Sequence, residues 1–513
     1  MKKHTLKEKV GQDQAASTNL NQDKADLGNV GDTTAATIAA SAFKLPARAR
    51  RRSISSPRLA GGLLALVSIV SLPAWASDPP GRDSILDWNA IALQAVAEDH
   101  SGTFGGPEQG GPTRASRALA IVHAAMYDAL NSIDSQATPY FTSRPAHGAS
   151  IDAAVATAAR RTLKALYPAQ ASVFDHKYAD YLDAITNRSY KRRGVQVGAY
   201  VAKKLLKARE HDGSRINPPY IPSGEPGVHD VDPLNPNQGF LTTGWGDVKP
   251  FALNASFNFV PLPPPDLGSP EYAAAFNDVK NLGGDGVNTP TLRTAEQTEI
   301  GLYWAYDGAP GLGVPPRLYN QIVRVIANQE GNTEAENARL FALINIAQAD
   351  AAIHCWDIKY TFNFWRPILG LRRADEDGNA HTEKDKFWTP LGAPFSNNPA
   401  EDGHDFTPSF PAYSSGHATF GASVFRTLEW FYGTDEIGFT FVSDELNGVT
   451  KDSFGNVRPF SPRSFTSFSD AAEENARSRI YLGVHWQFDA DKGLASGNAL
   501  ADHVFDTVLQ PLH

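Results

Sequence analysis

The residues able to do chemistry fall in three short stretches. The first, KYTFNFWRP, holds Lys359 and Arg366 seven positions apart. That is close to two helical turns, so both cations would share one face of a helix, and Pro367 puts Arg366 where that helix ends. The second, FPAYSSGHATFGASVF, sets Ser414, Ser415 and Gly416 directly before His417 and an amphipathic run. A small-residue turn opening a helix aims backbone N–H groups and a hydroxyl at an anion, and glycine lets the anion come close. His417 at its mouth adds a group that titrates near neutral pH. The third, SRIYLGVHWQFDADKG, holds Arg479 and His485 six apart. On one continuous helix they would face different ways, but Gly483 offers a break. Beyond it, His485 and Asp489 fall on one face at the four-residue spacing, where a carboxylate orients an imidazole.

Taken singly, each stretch has an ordinary explanation: a cation at a helix C-terminus, a capping serine, a histidine in a core. Taken together they supply two arginines, a lysine, a serine, a glycine turn and two histidines. Three cations plus amide donors describe a pocket for a tetrahedral oxyanion such as phosphate or vanadate. One histidine can then bond the central atom while the other shuttles protons.

The order KxxxxxxRP, SGH, SRxxxxxHxxxD resembles the signature shared by vanadium-dependent haloperoxidases and the type 2 phosphatidic acid phosphatase superfamily. The blocks IGLYWAYDG and PPRLYNQIVRVIA, within residues 300–327, and FWTPLGAPF are similar to the haloperoxidase branch. The resemblance implies vanadate as cofactor, with His485 bonding vanadium and Lys359, Arg366, Ser415, Gly416 and Arg479 holding its equatorial oxygens. It makes His417 the acid–base group, Asp307 an acidic partner of the arginines, and Trp356 and Phe410 aromatics where halide is handled. Lys359 would polarise bound peroxide. The implied activity is oxidation of halide by hydrogen peroxide to hypohalous acid, which attacks a small organic acceptor. One departure is Ser414, which stands where the family has proline and leaves the loop less restricted.

The same cup could serve an exported acid phosphatase, with His485 as the nucleophile that becomes a phosphohistidine and His417 protonating the leaving group. Motif residues do not separate the two; the flanking blocks favour oxidation. A non-enzymatic anion-binding scaffold is the third reading and leaves both histidines unexplained.

The elements that must hold these residues are helical. Apolar residues recur at three and four over RASRALAIVHAAMYDALNSI, IDAAVATAARRTLKALY, VFDHKYADYLDAI and GVQVGAYVAKKLLKAREHDG. The same texture covers Thr333 to Phe362, His417 to Phe431, Asp470 to Leu482 and Asp489 to Val508. The expectation is an all-α fold of two helix bundles with long irregular loops: an N-terminal helical region over 77–270 and a C-terminal bundle over 271–513 carrying the oxyanion site. Residues 212–270 hold 12 of the 35 prolines along with Trp245, Phe251 and Phe257. Aromatics need burial and proline blocks helix, so this segment should wrap over the helices and cover a site.

With 513 residues, 42% of them hydrophobic, the chain can bury large cores, and a single cysteine, Cys355, forbids internal disulfides and thiolate-rich metal sites. Residues 1–76 carry 11 Lys and Arg against 5 Asp and Glu, leaving the remainder at a net −15. That acidity disfavours nucleic acid and anionic membranes as partners. Residues 1–76 read as an export leader: a basic run with Arg51-Arg52, a short apolar segment, and Ala74-Trp75-Ala76 as cleavage site, which directs the mature chain to the periplasm or outside the cell. No CxxCH or helix-opening GxGxxG motif calls for haem or a dinucleotide.

Overall fold

The computed structural model describes residues 82–260, 262–398 and 405–512; the expected leader and its cleavage site lie outside the described residues. The described residues open with α1 (Ser84–Asp99), a helix that the sequence reading did not predict. Its buried residues Ile85, Trp88, Ala92 and Val96 recur at three and four, while Asp87, Ala90 and Gln94 face outward. The four expected helices follow as α2 (Gly111–Asp134), α3 (Ile151–Leu166), α4 (Ala171–Asp183) and α5 (Arg188–Ala208). Side-chain caps start α3, where Ser150 accepts from the Ala153 N–H, and α5, where Asn187 accepts from Ser189 and Tyr190.

The proline-rich segment forms almost no regular structure, yet it is ordered. Trp245 and Phe251 are buried, and Phe257 is half-buried. The Asp350 carboxylate accepts from the N–H groups of Phe251, Ala252 and Leu253 at 2.6, 2.6 and 2.8 Å, replacing the donors' lost sheet or helix partners. Arg209 adds bonds to the carbonyls of Lys249 and Pro250.

Helices then resume as α6 (Pro270–Leu282), α7 (Ala295–Tyr303), α8 (Pro315–Glu330), α9 (Glu334–Phe362), α10 (Pro367–Arg372), α11 (Gly416–Tyr432), α12 (Phe468–Tyr481) and α13 (Gln487–Thr507). Between α11 and α12 lies an antiparallel pair, β1 (Phe439–Asn447) and β2 (Phe460–Phe465), with Phe439 opposite Phe465. The 29-residue α9 begins with a capping box between Thr333 and Glu336 and is buried on every side along its middle. One apolar cluster runs from α1–α5 through α8, α9 and α11 to the end of α13. A smaller one, built on Tyr272, Phe276, Trp365, Trp388 and Trp486, backs the loops that carry the candidate site.

Candidate active site

Each segment of the site is set by a local rule. Helix α9 stops at Phe362, and Asn363 takes the left-handed conformation (φ 50°, ψ 32°). Arg366, held extended before Pro367 (φ −76°, ψ 157°), is therefore the N-cap of α10 and does not share a helix with Lys359. The expectation of two cations on one helix face is corrected: they converge because the chain reverses between them. Ser415 caps α11, its hydroxyl accepting from Ala418 N–H. Helix α12 ends at Tyr481, and Gly483 at φ +73° breaks the chain as expected, its Cα packed so tightly that a Cβ there would lie 2.5 Å from the Gly283 carbonyl. His485 and Asp489 do meet, but not on a helix face. His485 precedes α13, and Asp489, in its first turn, reaches back to accept from His485 Nδ1 (2.9 Å) and from the Trp486 N–H (3.0 Å).

The cations gather around His485. Arg366 donates from Nε to the Phe410 carbonyl (2.9 Å) and from Nη1 to the Val484 carbonyl (2.7 Å) and to His485 Nε2 (2.9 Å). A guanidinium can only donate, so Nε2 carries the lone pair and Nδ1 the proton shared with Asp489. Burial, then Arg366, Lys359 and Arg479, hold the imidazole well below its usual range and hence neutral. Lys359 is fully buried and donates to the carbonyls of Pro411 (2.7 Å) and Ala412 (3.0 Å), leaving one of its three N–H bonds over. Burial pushes its ammonium down to about 7. Arg479 grips both carboxylate oxygens of Asp307 with Nη2 at 2.9 and 3.0 Å, a contact 172 positions apart in sequence. Nη2 of Arg366 and both Nε and Nη1 of Arg479 are buried without a partner. Three unpaired guanidinium N–H groups beside a neutral imidazole lone pair make a receptor for an oxyanion whose central atom accepts nitrogen. Vanadate fits that donor set. Among the described residues there is no cluster of three His, Cys, Asp or Glu side chains able to hold a bare metal ion.

Above this receptor lies a cavity of about 330 Å³ lined by Asp307, Trp356, Phe410, Gly416, His417, Arg479 and His485, among others. Lys359, Arg366 and Ser415 stand behind its wall: Lys359 and Arg366 lie 5.1 and 4.9 Å from the Phe410 ring centre, and the Ser415 N–H donates to the Asp489 carbonyl (2.9 Å). Trp356 and Phe410 contact one another at 4.8 Å between ring centres. His417 donates from Nε2 to the Ala305 carbonyl (2.7 Å), and burial together with Arg479 holds it well below its usual range. Ser414, where proline was expected, is buried against Cys355, whose thiol donates to the Ser414 carbonyl (3.5 Å).

Sequence reasoning missed several cavity residues. Leu241 of the proline-rich wrap roofs the cavity, its carbonyl accepting from Tyr360 Oη (2.9 Å) and Trp356 Nε1 (3.4 Å), so the wrap does cover the site. His100 lines it too, spanning the Val96 carbonyl and the Gly111 N–H. Arg114, in the first turns of α2, lines its rim. A cation at that end of a helix opposes the dipole, and this was the one available signal for it.

The comparisons with known proteins agree with this architecture. Residues 81–238 match the vanadium chloroperoxidase N-terminal domain, and residues 339–513 match the VCPO second helical-bundle domain. The chain is 33% identical to vanadium chloroperoxidase of Curvularia inaequalis over 510 positions, covering 82% of each. Its fold resembles a bacterial vanadium-dependent iodoperoxidase (TM-score 0.67, 21% identity, 85% of this chain and all of that one). It also resembles the holo-type bacterial vanadium-dependent chloroperoxidase (TM-score 0.59, 16% identity, 82% and 97%).

Proposed function

The chain belongs to the vanadium chloroperoxidase family, and we infer that it is a vanadate-dependent haloperoxidase, oxidising halide with hydrogen peroxide to hypohalous acid. Bound vanadate supplies Lewis acidity that activates peroxide without changing the metal's oxidation state. The observation that carries the assignment of residues is the set of three unpartnered guanidinium nitrogens on Arg366 and Arg479 beside His485, whose Nε2 holds its lone pair toward Arg366 Nη1 (2.9 Å).

On this reading His485 would hold vanadium through Nε2, with Asp489 at Nδ1 fixing the tautomer that leaves Nε2 its lone pair. Arg366, Arg479 and Lys359 would neutralise the oxygens, with the Ser415 hydroxyl and the Gly416 N–H at the α11 N-terminus as uncharged donors to them. Lys359, pinned by two carbonyls, would keep one N–H to donate to an oxygen of the bound oxyanion. Peroxide, halide and one proton yield hypohalous acid and water, and His417, neutral with its proton on Nε2, would relay that proton through Nδ1 by taking it up and releasing it. Trp356 and Phe410 exclude water from the side on which halide approaches. A leader cleaved after Ala76 would deliver the enzyme to the periplasm or beyond, and sequencing the N-terminus of exported protein checks that. A small organic acceptor receives the oxidised halogen.

The test is to incubate purified protein with orthovanadate, then follow bromination of a phenolic dye with hydrogen peroxide. Hydrolysis of p-nitrophenyl phosphate by vanadate-free protein is followed in parallel. Vanadate-dependent bromination is expected. A dye unchanged under every halide, with the phosphate ester cleaved, would overturn the reading.

A further inference from the structure

Beside the catalytic cavity lies a second and larger one, about 840 Å³, between α2, α3, α5 and the proline-rich wrap. The two share walls. Arg114 lines both; Pro107, Gly110 and Gly111 face the catalytic cavity while Glu108 and Gln109 face its neighbour; on the wrap, Leu241 faces one and Trp245 the other.

The larger groove is cationic in a chain whose net charge is −9. Some of its charges are structural: Arg117 and Arg209 pair with Asp212, and Lys207 with Glu210. Arg114, Arg161 and Lys203 make no hydrogen bond or ion pair among the described residues, and Arg161 and Lys203 are exposed. The fold does not need them there. Arg114 sits in the first turns of α2, where a cation opposes the helix dipole, and the groove's two carboxylates are engaged elsewhere, Glu108 by the Ala169 N–H and Glu210 by Lys207. Between these charges the floor is apolar, formed by Ile121, Leu166, Leu206 and Trp245. A halide ion needs neither that floor nor that volume, whereas an aromatic ring bearing a carboxylate needs both.

We propose that this groove binds an anionic aromatic acceptor, its carboxylate on Arg114, Arg161 and Lys203 and its ring toward the shared wall, where hypohalous acid leaves the catalytic cavity. The inference rests on the haloperoxidase reading. The step is electrophilic substitution: hypohalous acid and the arene give the aryl halide and water, a carbon–halogen bond replacing a carbon–hydrogen bond.

The experiment uses the vanadate-loaded enzyme and two phenols, 4-hydroxyphenylacetate (anionic) and 4-hydroxybenzyl alcohol (neutral), with the ratio of their kcat/KM values as readout. In Arg161→Glu/Lys203→Glu the ratio of anionic to neutral should fall roughly tenfold, and by less in the matching Gln pair, as expected when an attractive field is reversed rather than removed. Equilibrium dialysis should show 4-hydroxyphenylacetate bound by the wild type and released by the Glu pair. An unchanged ratio in the folded Glu pair overturns the proposal. So does an equal fall for both phenols with a raised KM for bromide, which would make the groove a halide funnel. A wild type that brominates neither phenol sinks the haloperoxidase reading instead, and dialysis still decides the groove.

Discussion

The three unpartnered N–H groups lead to a quantitative prediction. Nη2 of Arg366 and Nε and Nη1 of Arg479 are buried without acceptors, and an oxyanion seated among them stabilises the fold by satisfying them. Arg479 supplies two of the three. The informative perturbation is Arg479→Met combined with Asp307→Asn, because Asp307 is buried on Arg479 and would otherwise be left as an uncompensated charge. At about 1.5–3 kcal/mol per hydrogen bond to a charged group, losing two weakens vanadate binding by about 3–6 kcal/mol, or roughly 10²–10⁴-fold in Kd. Thermal unfolding against rising orthovanadate reads this directly. At about 100 times its Kd, vanadate stabilises the wild type by about 2.7 kcal/mol, a rise of a few degrees in Tm. The double variant should gain at most about 0.4 kcal/mol at that concentration, a rise of about a degree or less. A double variant whose Tm climbs with the wild-type midpoint would refute the reasoning.

His485→Ala should abolish stable vanadate binding, while His417→Ala should keep more binding than bromination activity; equal loss of both in the second variant would refute the division of roles. Burial lowers the Lys359 ammonium from 10.5 to about 7, so between those values the unfolded chain holds a proton that the vanadate-free fold does not. Vanadate-free stability should therefore rise with pH across that window, the penalty being complete below pH 7, and the slope between pH 7 and 9 should flatten in Lys359→Met. An identical slope in the variant, measured by denaturant unfolding, would overturn this. Gly483→Ala places a Cβ against the Gly283 carbonyl at a positive φ and should cost about 1–3 kcal/mol, read as a fall in Tm with bromination lost in parallel.

The sequence revealed the site residues more fully than their placement. Lys359, Arg366, His417, Arg479 and His485 could be named because each sits in a short stretch whose residue types have few joint uses, and the structure gathers them. What local pattern misjudged was direction. Pro367 turns Arg366 out of the helix that seven-residue spacing suggested, and Asp489 reaches His485 from a helix start. The Arg479–Asp307 grip joins α12 to the loop after α7, a pairing that the family resemblance implied and no local spacing encodes. Helix α1 was overlooked although Ile85, Trp88, Ala92 and Val96 recur at three and four, the same period that marked the later helices. The cationic groove draws on four separate segments, each unremarkable alone.

Asp350 and Trp356 stand on the same long helix, α9. One clasps the wrap by three backbone amides, and the other helps line the chamber that the wrap roofs through Leu241. Ceiling and floor are thus fastened to a single rod and keep their spacing when the rod moves. The wrap also braces the reversal that delivers Arg366: the Gly227 carbonyl accepts from the Trp365 N–H (2.9 Å) and the His229 N–H donates to the Asn363 carbonyl (2.7 Å), so a change in that stretch would reach the oxidising group through its support.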